Sequence, residues 1–480
     1  MMTPNEQYYQ AFMNNDRRFD GRVYVGVKST GIYCRPICTA KAPLLKNCSF
    51  YTSAAQAEQA GFRPCLKCRP ELAPGSKGIP AENSQLLAVR AAEAINSEYL
   101  QNSSLSQLAS DLGATDRHLR RVFQEYWHVT PVAYAQTHRL LFAKQLLTET
   151  QLPITHIAYA AGFDSISRFN SLFKQQYQLA PRNFRARKPL ADTKTIQLTV
   201  SYRPPFDWQA LIAFLQGRQI TTIESISEHS YRRSAAIVRG DQQYAGWLEV
   251  RNDAPHNRLV ITLSSSLIPV SAHILSRLRA LFDTNCQPAL IAQALNNLPQ
   301  YQPGLRVPGA FDGFEMAVRA IVGQQISVAA AAKIAGRIAE KFGTAVSTPY
   351  AEVSQLFPSA QVIARAPLEE IITCGLYSKR AQAIKALAQA CVDGLQLTPT
   401  SNVAVTIENL QKLPGIGAWT AGYIAMRALS WPDAFLDTDH AIKKVLAKQG
   451  NILQYAEAWH PWRAYATMAI WQSLAKQETI

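Results

Sequence analysis

The spacing of apolar positions divides this chain into stretches of different period, and three interruptions separate them. Residues 73–83, APGSKGIPAEN, break the pattern with Pro, Gly and polar side chains and read as a linker. From Ser84 to about Phe184 apolar residues recur at helical spacing, as in LLAVRAAEAI, with few strand-like runs. RARKPLADTK (185–194) then forms a basic hinge. Beyond it TIQLTVSY, SAAIVRG, GWLEVRN and RLVITLS alternate apolar and polar residues between turn signals, which predicts strands. From about Pro303 the period is helical again, cut by short Gly/Pro turns. There is no fixed-period repeat, although 105–181 carries two related helix-turn-helix patterns. The expected organisation is four modules: a small α+β domain at 1–73, an all-helical domain at 84–188, an α+β domain at 195–302 and a helical domain at 303–480.

A chain of 480 residues is too long for one core, in keeping with several modules. Lys+Arg 49 against Asp+Glu 34 gives a net charge of +15, which favours a polyanionic partner such as nucleic acid. The N-terminus, MMTPNEQYYQ, lacks a basic-then-apolar leader, and no run of about 18 apolar residues offers a membrane span. The expected location is therefore cytoplasmic and associated with the nucleoid, with no membrane partner.

Five of the eight cysteines lie between Cys34 and Cys68. Cys34-x3-Cys38 followed by Cys65-x2-Cys68 is spacing suited to one tetrahedral Zn(Cys)4 site, and by spacing alone a structural zinc is the commoner outcome. Arg35, Lys41, Lys46, Arg63, Lys67 and Arg69 surround the pairs and suit a phosphate-facing surface. Cys286, Cys374 and Cys391 lie in apolar segments and read as inert core thiols. GVKSTGIYCRPIC, NCSFY and AAGFRPCLKCRPE, within about 16–72, resemble the methylphosphotriester-accepting domain of the Ada family of adaptive-response regulators. That resemblance implies Cys34 as methyl acceptor, with Cys38, Cys65 and Cys68 as the remaining zinc ligands and Lys41 toward DNA. Cys48 stands where the family usually has an aliphatic residue, and reads as a buried bystander.

In the helical stretch, LSQLASDLGATDRHLRRVFQEYWHVTP sets a short helix, a turn at Gly113 and a second helix capped by Thr115 or Asp116. ITHIAYAAGFDSISRFNSLFKQQYQLAP repeats the plan, with Gly162-Phe163 at the turn and Ser165 as cap. The second helices expose Arg117, His118, Arg120 and Arg121 in one unit, and Ser167, Arg168, Asn170 and Lys174 in the other. Such side chains reach base edges and phosphates in a major groove, although a lone pattern of this type also occurs in ordinary helical bundles. Two in tandem, ending AAGFDSISRFNSLFKQQYQLAPRNFR, resemble the AraC/XylS regulator domain. The resemblance implies promoter DNA as a partner, with Arg117, Arg121 and Arg168 among its contacts, and RNA polymerase as a further one.

LPGIGAWTAGYIAMRAL (413–429) is a tight turn opening a helix, and with a preceding helix from Thr406 it forms a helix-hairpin-helix. Gly415 and Gly417 let backbone N–H groups approach a phosphate at a helix N-terminus, although such a turn is often only a cap. Asp439 follows Gly417 by 22 residues, in AFLDTDHAIKK. YRPPFDW, FEMAVRAIVGQQIS, LPGIGAWTA and PWRAYATMAIW resemble the inducible 3-methyladenine DNA glycosylases of bacteria, of the helix-hairpin-helix superfamily, over about 196–476. The resemblance implies a TATA-binding-protein-like α+β module before an all-α glycosylase domain. It also implies Asp439 as the catalytic carboxylate, with Asp437 as the alternative. Phe214, Trp419, Tyr423 and Trp471 fall at the family's base-pocket positions, where core aromatics would look the same in sequence. Gln325 replaces the aliphatic wedge and His440 an aromatic beside the aspartate. The Schiff-base lysine of lyase-type relatives is Trp419 here, implying a monofunctional hydrolase. No cysteine follows Cys391, so no iron–sulfur cluster is expected. A Pro-Cys-His-Arg methyltransferase motif does not occur.

Together these readings predict damaged and promoter duplex DNA as partners, zinc as cofactor, and a sensor-activator fused to an alkylbase glycosylase. A regulator carrying an inactive glycosylase-like module is the alternative, and a repair enzyme with a non-specific helix-turn-helix tether is a third.

Overall fold

A computed structural model describes residues 3–75, 83–96, 103–184 and 194–477. Residues 76–82 of the expected linker and 185–193 of the basic hinge lie outside the described residues.

Helix α1 (Pro4–Met13) begins in a reciprocal capping box between Thr3 and Glu6. Strands β1 (Tyr24–Val27), β2 (Ile32–Cys34), β3 (Cys48–Tyr51) and β4 (Arg63–Pro64) form one sheet in the order β3-β1-β2-β4, with α2 (Ala54–Gln59) between the last two in sequence. Gly26 is fixed by the rings above it: a Cβ there would sit 2.8 Å from Tyr51 and 2.9 Å from Phe62.

The helical region comprises α3 (Asn83–Asn96), α4 (Leu105–Asp111), α5 (Asp116–Trp127), α6 (Pro131–Glu149), α7 (Ile154–Ala160) and α8 (Ile166–Tyr177). Thr115, rather than Asp116, caps α5 by accepting from the N–H of His118, and Ser165 caps α8. Gly113 and Gly162 take φ of +73° and +79° at the two turns, a region that L side chains rarely adopt.

Next come β5 (Thr195–Ser201), α9 (Trp208–Gln216), β6 (Glu224–Ser227), β7 (Ser230–Arg239), β8 (Gln242–Asp253), β9 (Arg258–Ser264), α10 (Ser271–Leu281) and α11 (Pro288–Ala294). The antiparallel sheet runs β5-β9-β8-β7-β6. Its edge strand β6, ESIS, was not among the expected strands, because four residues with two serines give too little alternation to read.

The remainder is α12 (Gly313–Val322), α13 (Val328–Phe342), a two-residue ribbon of β10 (Thr344–Ala345) and β11 (Gln355–Leu356), α14 (Ala360–Arg365), α15 (Leu368–Ile372), α16 (Ser378–Val392), α17 (Val403–Gln411), α18 (Ala418–Arg427), α19 (His440–Leu446), α20 (Ile452–Ala456) and α21 (Arg463–Gln477). The ribbon means this part is helical but not purely α. Helix α17 starts three residues before the expected Thr406, because Asn402 caps it by accepting from the N–H of Val405.

The cores do not follow the composition breaks. Buried positions of α6–α8, from Leu140 to Tyr177, and Phe184 beyond them share one cluster with the five-stranded sheet, including Phe169, Phe173, Leu198 and Ile261. A buried ion network of Arg233, Arg319, Glu224 and Glu315 ties this sheet to α12. Arg319 also donates to the Arg218 carbonyl at 2.7 Å, which fixes the end of α9 against the last domain.

Candidate metal centre and candidate active site

The β1–β2 hairpin delivers Cys34 at the end of β2, and Cys65 follows β4 with its N–H on the Tyr33 carbonyl at 3.0 Å. The ligand atoms of Cys34, Cys38, Cys65 and Cys68 all lie within 4.8 Å of one another. Four thiolates about 2.3 Å from a common zinc ion would have S–S edges of about 3.8 Å, so the donor set and spacing fit that ion. The Arg35 backbone N–H points at Cys68 Sγ across 3.3 Å, the kind of outer contact that fixes a sulfur ligand. Cys48 is outside the group; its thiol faces the Leu44 carbonyl at 3.5 Å. Cys286 and Cys374 are buried, and Cys391 is half-buried.

Two of the expected phosphate-facing cations turn inward. Arg35 is buried against Asp20, and Arg69 pairs with Glu71 and, across the module boundary, with Glu149 on α6. Lys41, Lys46 and Lys67 are exposed. Arg35 meets a carboxylate of its own module, whereas Arg69 turns inward at a junction of three modules. Lys144 of α6 is buried against Glu71, and Glu149 accepts from the N–H of Thr199 on β5 at 3.1 Å. Arg203, nearly fully buried, donates to the carbonyls of Asp20 and Gly75 at 2.9 and 2.8 Å. Glu58 on α2 meets Tyr33, Thr137 and Tyr177. Burial pushes its carboxyl up to about 8 against those hydrogen bonds.

On α5 and α8 the faces carrying Arg117, Arg120 and Arg121, and Ser167, Arg168, Asn170 and Lys174, are exposed, while Leu119, Phe123, Phe169 and Phe173 point inward. Arg121 and Arg120 pair along their own helix with Glu125 and Asp116. His118 is only half-exposed and contacts Arg121.

In the last domain α17 and α18 form the hairpin. Gly415 has φ +78°, and a Cβ on it would meet that of Ala383 at 3.0 Å. Gly417 is the N-cap of α18 and offers no side-chain cap, and a Cβ there would meet nothing within 4 Å. The N–H groups opening α18 thus face an unobstructed surface.

Asp439 caps α19. Its Oδ1 accepts from Ala441 N and Ile442 N at 3.0 and 3.3 Å and from Trp471 Nε1 at 3.1 Å. Its Oδ2 accepts from Trp419 Nε1, also at 3.1 Å. Trp419 stacks on Tyr423 with centroids 5.3 Å apart and planes within 5°, and Tyr423 lies 6.1 Å from Trp471. Phe214 joins this group through arginines: Arg427 sits 5.0 Å from the Phe214 ring and 5.6 Å from that of Tyr423, and Arg218 caps Phe214 at 3.7 Å. The four aromatic residues and the carboxylate read from sequence are therefore brought together. Asp437 is half-buried two residues earlier, His440 is exposed beside the carboxylate, and Gln325 is exposed with φ +57° between α12 and α13.

Arg218 and Arg427 were not singled out in sequence. Each stands four residues after its aromatic; Tyr423 and Arg427 share a face of α18, which was the available signal, while Arg218 lies just past the end of α9. Arg427 donates to the Tyr423 hydroxyl at 2.7 Å. Burial pushes that phenol up, but Arg427 and Arg218 outweigh it and leave it below the usual tyrosine range.

Four families match in order: the metal binding domain of Ada over residues 7–71, a helix-turn-helix domain over 108–187, the AlkA N-terminal domain over 197–312 and the HhH-GPD superfamily of base excision DNA repair proteins over 318–464. A probable bifunctional transcriptional activator/DNA repair enzyme AlkA of Mycobacterium tuberculosis is 32% identical over 98% of this chain and 96% of its own length. The chain belongs to that bifunctional activator/repair family. DNA-3-methyladenine glycosylase 2 of Escherichia coli is 38% identical over 57% of this chain and 96% of the relative. The bifunctional activator/repair enzyme AdaA of Bacillus subtilis is 30% identical over 39% of this chain and 86% of the relative. The bifunctional family thus joins, in one chain, a metal-binding Ada module and an HhH-GPD module. Among the described residues no helix is long and apolar enough to cross a membrane.

Proposed function

We propose that the chain releases alkylated bases from duplex DNA by hydrolysis and accepts methyl groups from DNA phosphotriesters, using the second event to regulate promoters. The observation that carries the glycosylase reading is Asp439, held by two indole and two backbone N–H groups at the edge of an aromatic cluster beside the hairpin. A carboxylate held by four donors keeps a fixed orientation. As the C1′–N bond breaks, its electron pair leaves with the already cationic base, and positive charge develops on the sugar. Asp439 stabilises that charge; water adds to C1′ and loses a proton. The flipped, electron-poor base is bound between Trp419, Tyr423, Trp471 and Phe214. With Trp419 where a Schiff-base lysine would stand, the product is an intact strand with an abasic site. Gly415 and Gly417 bring the hairpin against a phosphate, while Gln325 and His440 line the approach.

Cys34, Cys38, Cys65 and Cys68 would hold one zinc ion, which keeps thiols deprotonated at neutral pH. The Cys34 thiolate attacks the methyl carbon of a neutral phosphotriester. The C–O bond breaks, its electrons stay on the phosphate as a diester anion, and a thioether forms, so each chain reacts once. The centre goes from formal charge −2 to −1. One unit charge a few Å from a phosphate is worth roughly 1–4 kcal/mol at a surface, enough to change DNA affinity. Lys41 and the exposed Arg117, Arg121 and Arg168 contact DNA, and a promoter-bound activator of this kind meets RNA polymerase. The expected site of action is the nucleoid, in the cytoplasm.

The test is to incubate the purified chain with methylated duplex DNA and measure free bases alongside protein-bound methyl. If neither free base nor protein-bound methyl is found, the proposal fails.

A further inference from the structure

Arg427 is only 1% exposed, yet among the described residues its guanidinium bonds neutral groups alone: the Pro308 and Gly309 carbonyls and, at 2.7 Å, the Tyr423 hydroxyl. Taking an ion out of water is costly, and a nearby opposite charge normally offsets that cost. The other buried arginines among the described residues follow this pattern. Arg35 pairs with Asp20 and Arg233 with Glu315, while Asp20 and Asp283 act on Arg203 and Arg306. Arg427 departs from it. Burial lowers its guanidinium from the usual arginine value, the Tyr423 phenol opposes that, and Arg218 and Arg319 lower it further. Arg218 stands 3.7 Å over the Phe214 ring and bears on the same Tyr423 hydroxyl. Two cations therefore meet behind one aromatic cluster.

Their placement gives them a role. Trp419, Tyr423 and Arg427 occupy every fourth position of α18, so each Cα lies about 6 Å further along the helix than the one before. Asp439 meets the Trp419 end of this row, at 3.1 Å, and Arg427 closes the other. The aromatic pocket thus has a carboxylate at one end and two guanidiniums at the other.

Hydrolysis of the glycosidic bond moves charge along that line. When C1′–N breaks, both bonding electrons leave with the base. A cationic base departs neutral and a neutral one departs as an anion, so either way one unit of positive charge passes from base to sugar. Water then adds to C1′ and gives up a proton, to solvent or to the anionic base. We propose that Arg427 and Arg218 form the positive end of a field whose negative end is Asp439, and that this field drives the transfer of charge. Fixed charges of this kind act without reorganising as the reaction proceeds. The same cations oppose the binding of a base that is already positive, so they raise the rate while lowering ground-state affinity. The inference rests on the glycosylase reading and adds to it two groups acting from behind the aromatic rings.

The experiment compares Arg218→Gln, which removes one charge, and Arg218→Lys, which keeps it, with the unsubstituted full chain. Single-turnover release of 7-methylguanine, a cationic base, and of hypoxanthine, a neutral one, is followed from otherwise identical duplexes over a range of protein concentrations. Each series gives a limiting rate and a half-saturating protein concentration. Arg218→Gln should lower the limiting rate for both bases by a similar factor, roughly three- to tenfold, the scale of one unit charge a few Å nearer to one end of the displacement. Its half-saturating concentration should fall for 7-methylguanine and stay unchanged for hypoxanthine. Arg218→Lys should restore both quantities. Unchanged rates overturn the inference, as does an equal loss in the two variants. A half-saturating concentration that rises alike for both bases also overturns it, because that marks lost packing around Phe214. Release of 7-methylguanine alone still decides, through the joint fall of its rate and its half-saturating concentration. If the unsubstituted chain releases neither base, the glycosylase reading fails and this inference with it.

Discussion

Trp419 donates its indole N–H to Oδ2 of Asp439 across 3.1 Å, and so joins the second hairpin helix to the start of α19. The same carboxylate caps α19. Asn is an equally good cap, so Asp439→Asn separates the two duties. Base release should fall at least about a hundredfold, the scale of losing one preorganised charge stabiliser, while the melting temperature stays within a few degrees. Measuring both on one preparation decides it, and full release by the variant would remove Asp439 from the chemistry.

Cys34→Ala should end methyl uptake. In the unsubstituted chain, peptide mass spectrometry after reaction with methylated DNA should place the methyl on Cys34. Methyl on Cys38 or Cys48 would overturn the acceptor assignment. Elemental analysis of the same material should give one zinc ion per chain and no iron.

Glu58 predicts a pH dependence. Its folded carboxyl, raised to about 8 from 4.5 mainly by burial, binds a proton that the unfolded chain has released. Its contribution is complete below about 4.5 and is lost as pH rises through about 8, at roughly 1.4 kcal/mol per pH unit between. Glu58→Gln, which mimics the protonated acid, should therefore raise thermal stability more at pH 8 than at pH 5. An equal effect at both pH values would show that Glu58 is not the titrating group.

Lys144 and Glu71 are both buried in their ion pair. Lys144→Met leaves the buried Glu71 carboxylate with Arg69 as its remaining cation, and a loss of about 1–3 kcal/mol is expected in chemical denaturation. Pairing it with Glu71→Leu should recover most of that loss, since both buried partners are then apolar and Arg69 keeps Glu149. Similar losses in the single and double variants would contradict the pairing.

Much of this architecture was legible because its signals are local. Cys34, Cys38, Cys65 and Cys68 advertise a ligand set by spacing, Thr115 and Ser165 mark helix starts, and the Pro414–Gly417 turn marks the hairpin. The aromatic cluster around Asp439 came from resemblance, since Trp419 and Phe214 look like core residues to any periodicity. What stayed hidden depends on contacts distant in sequence. Arg35 and Arg69 read as outward cations because nothing near them in sequence shows Asp20 or Glu149 closing on them. The edge strand β6 takes its identity from β7. The shared core of α6–α8 and the second sheet crosses a composition break, because a basic segment says nothing about which apolar faces meet beyond it.

Glu149 receives Arg69 from one side and Thr199 from the other. Three units that match different families are thereby buttoned at a single carboxylate. Cutting the gene at either composition break would leave each fragment with a charged or polar seam formerly sealed from water. Dissecting this molecule into its parts should thus yield pieces less sturdy than stand-alone relatives of each kind.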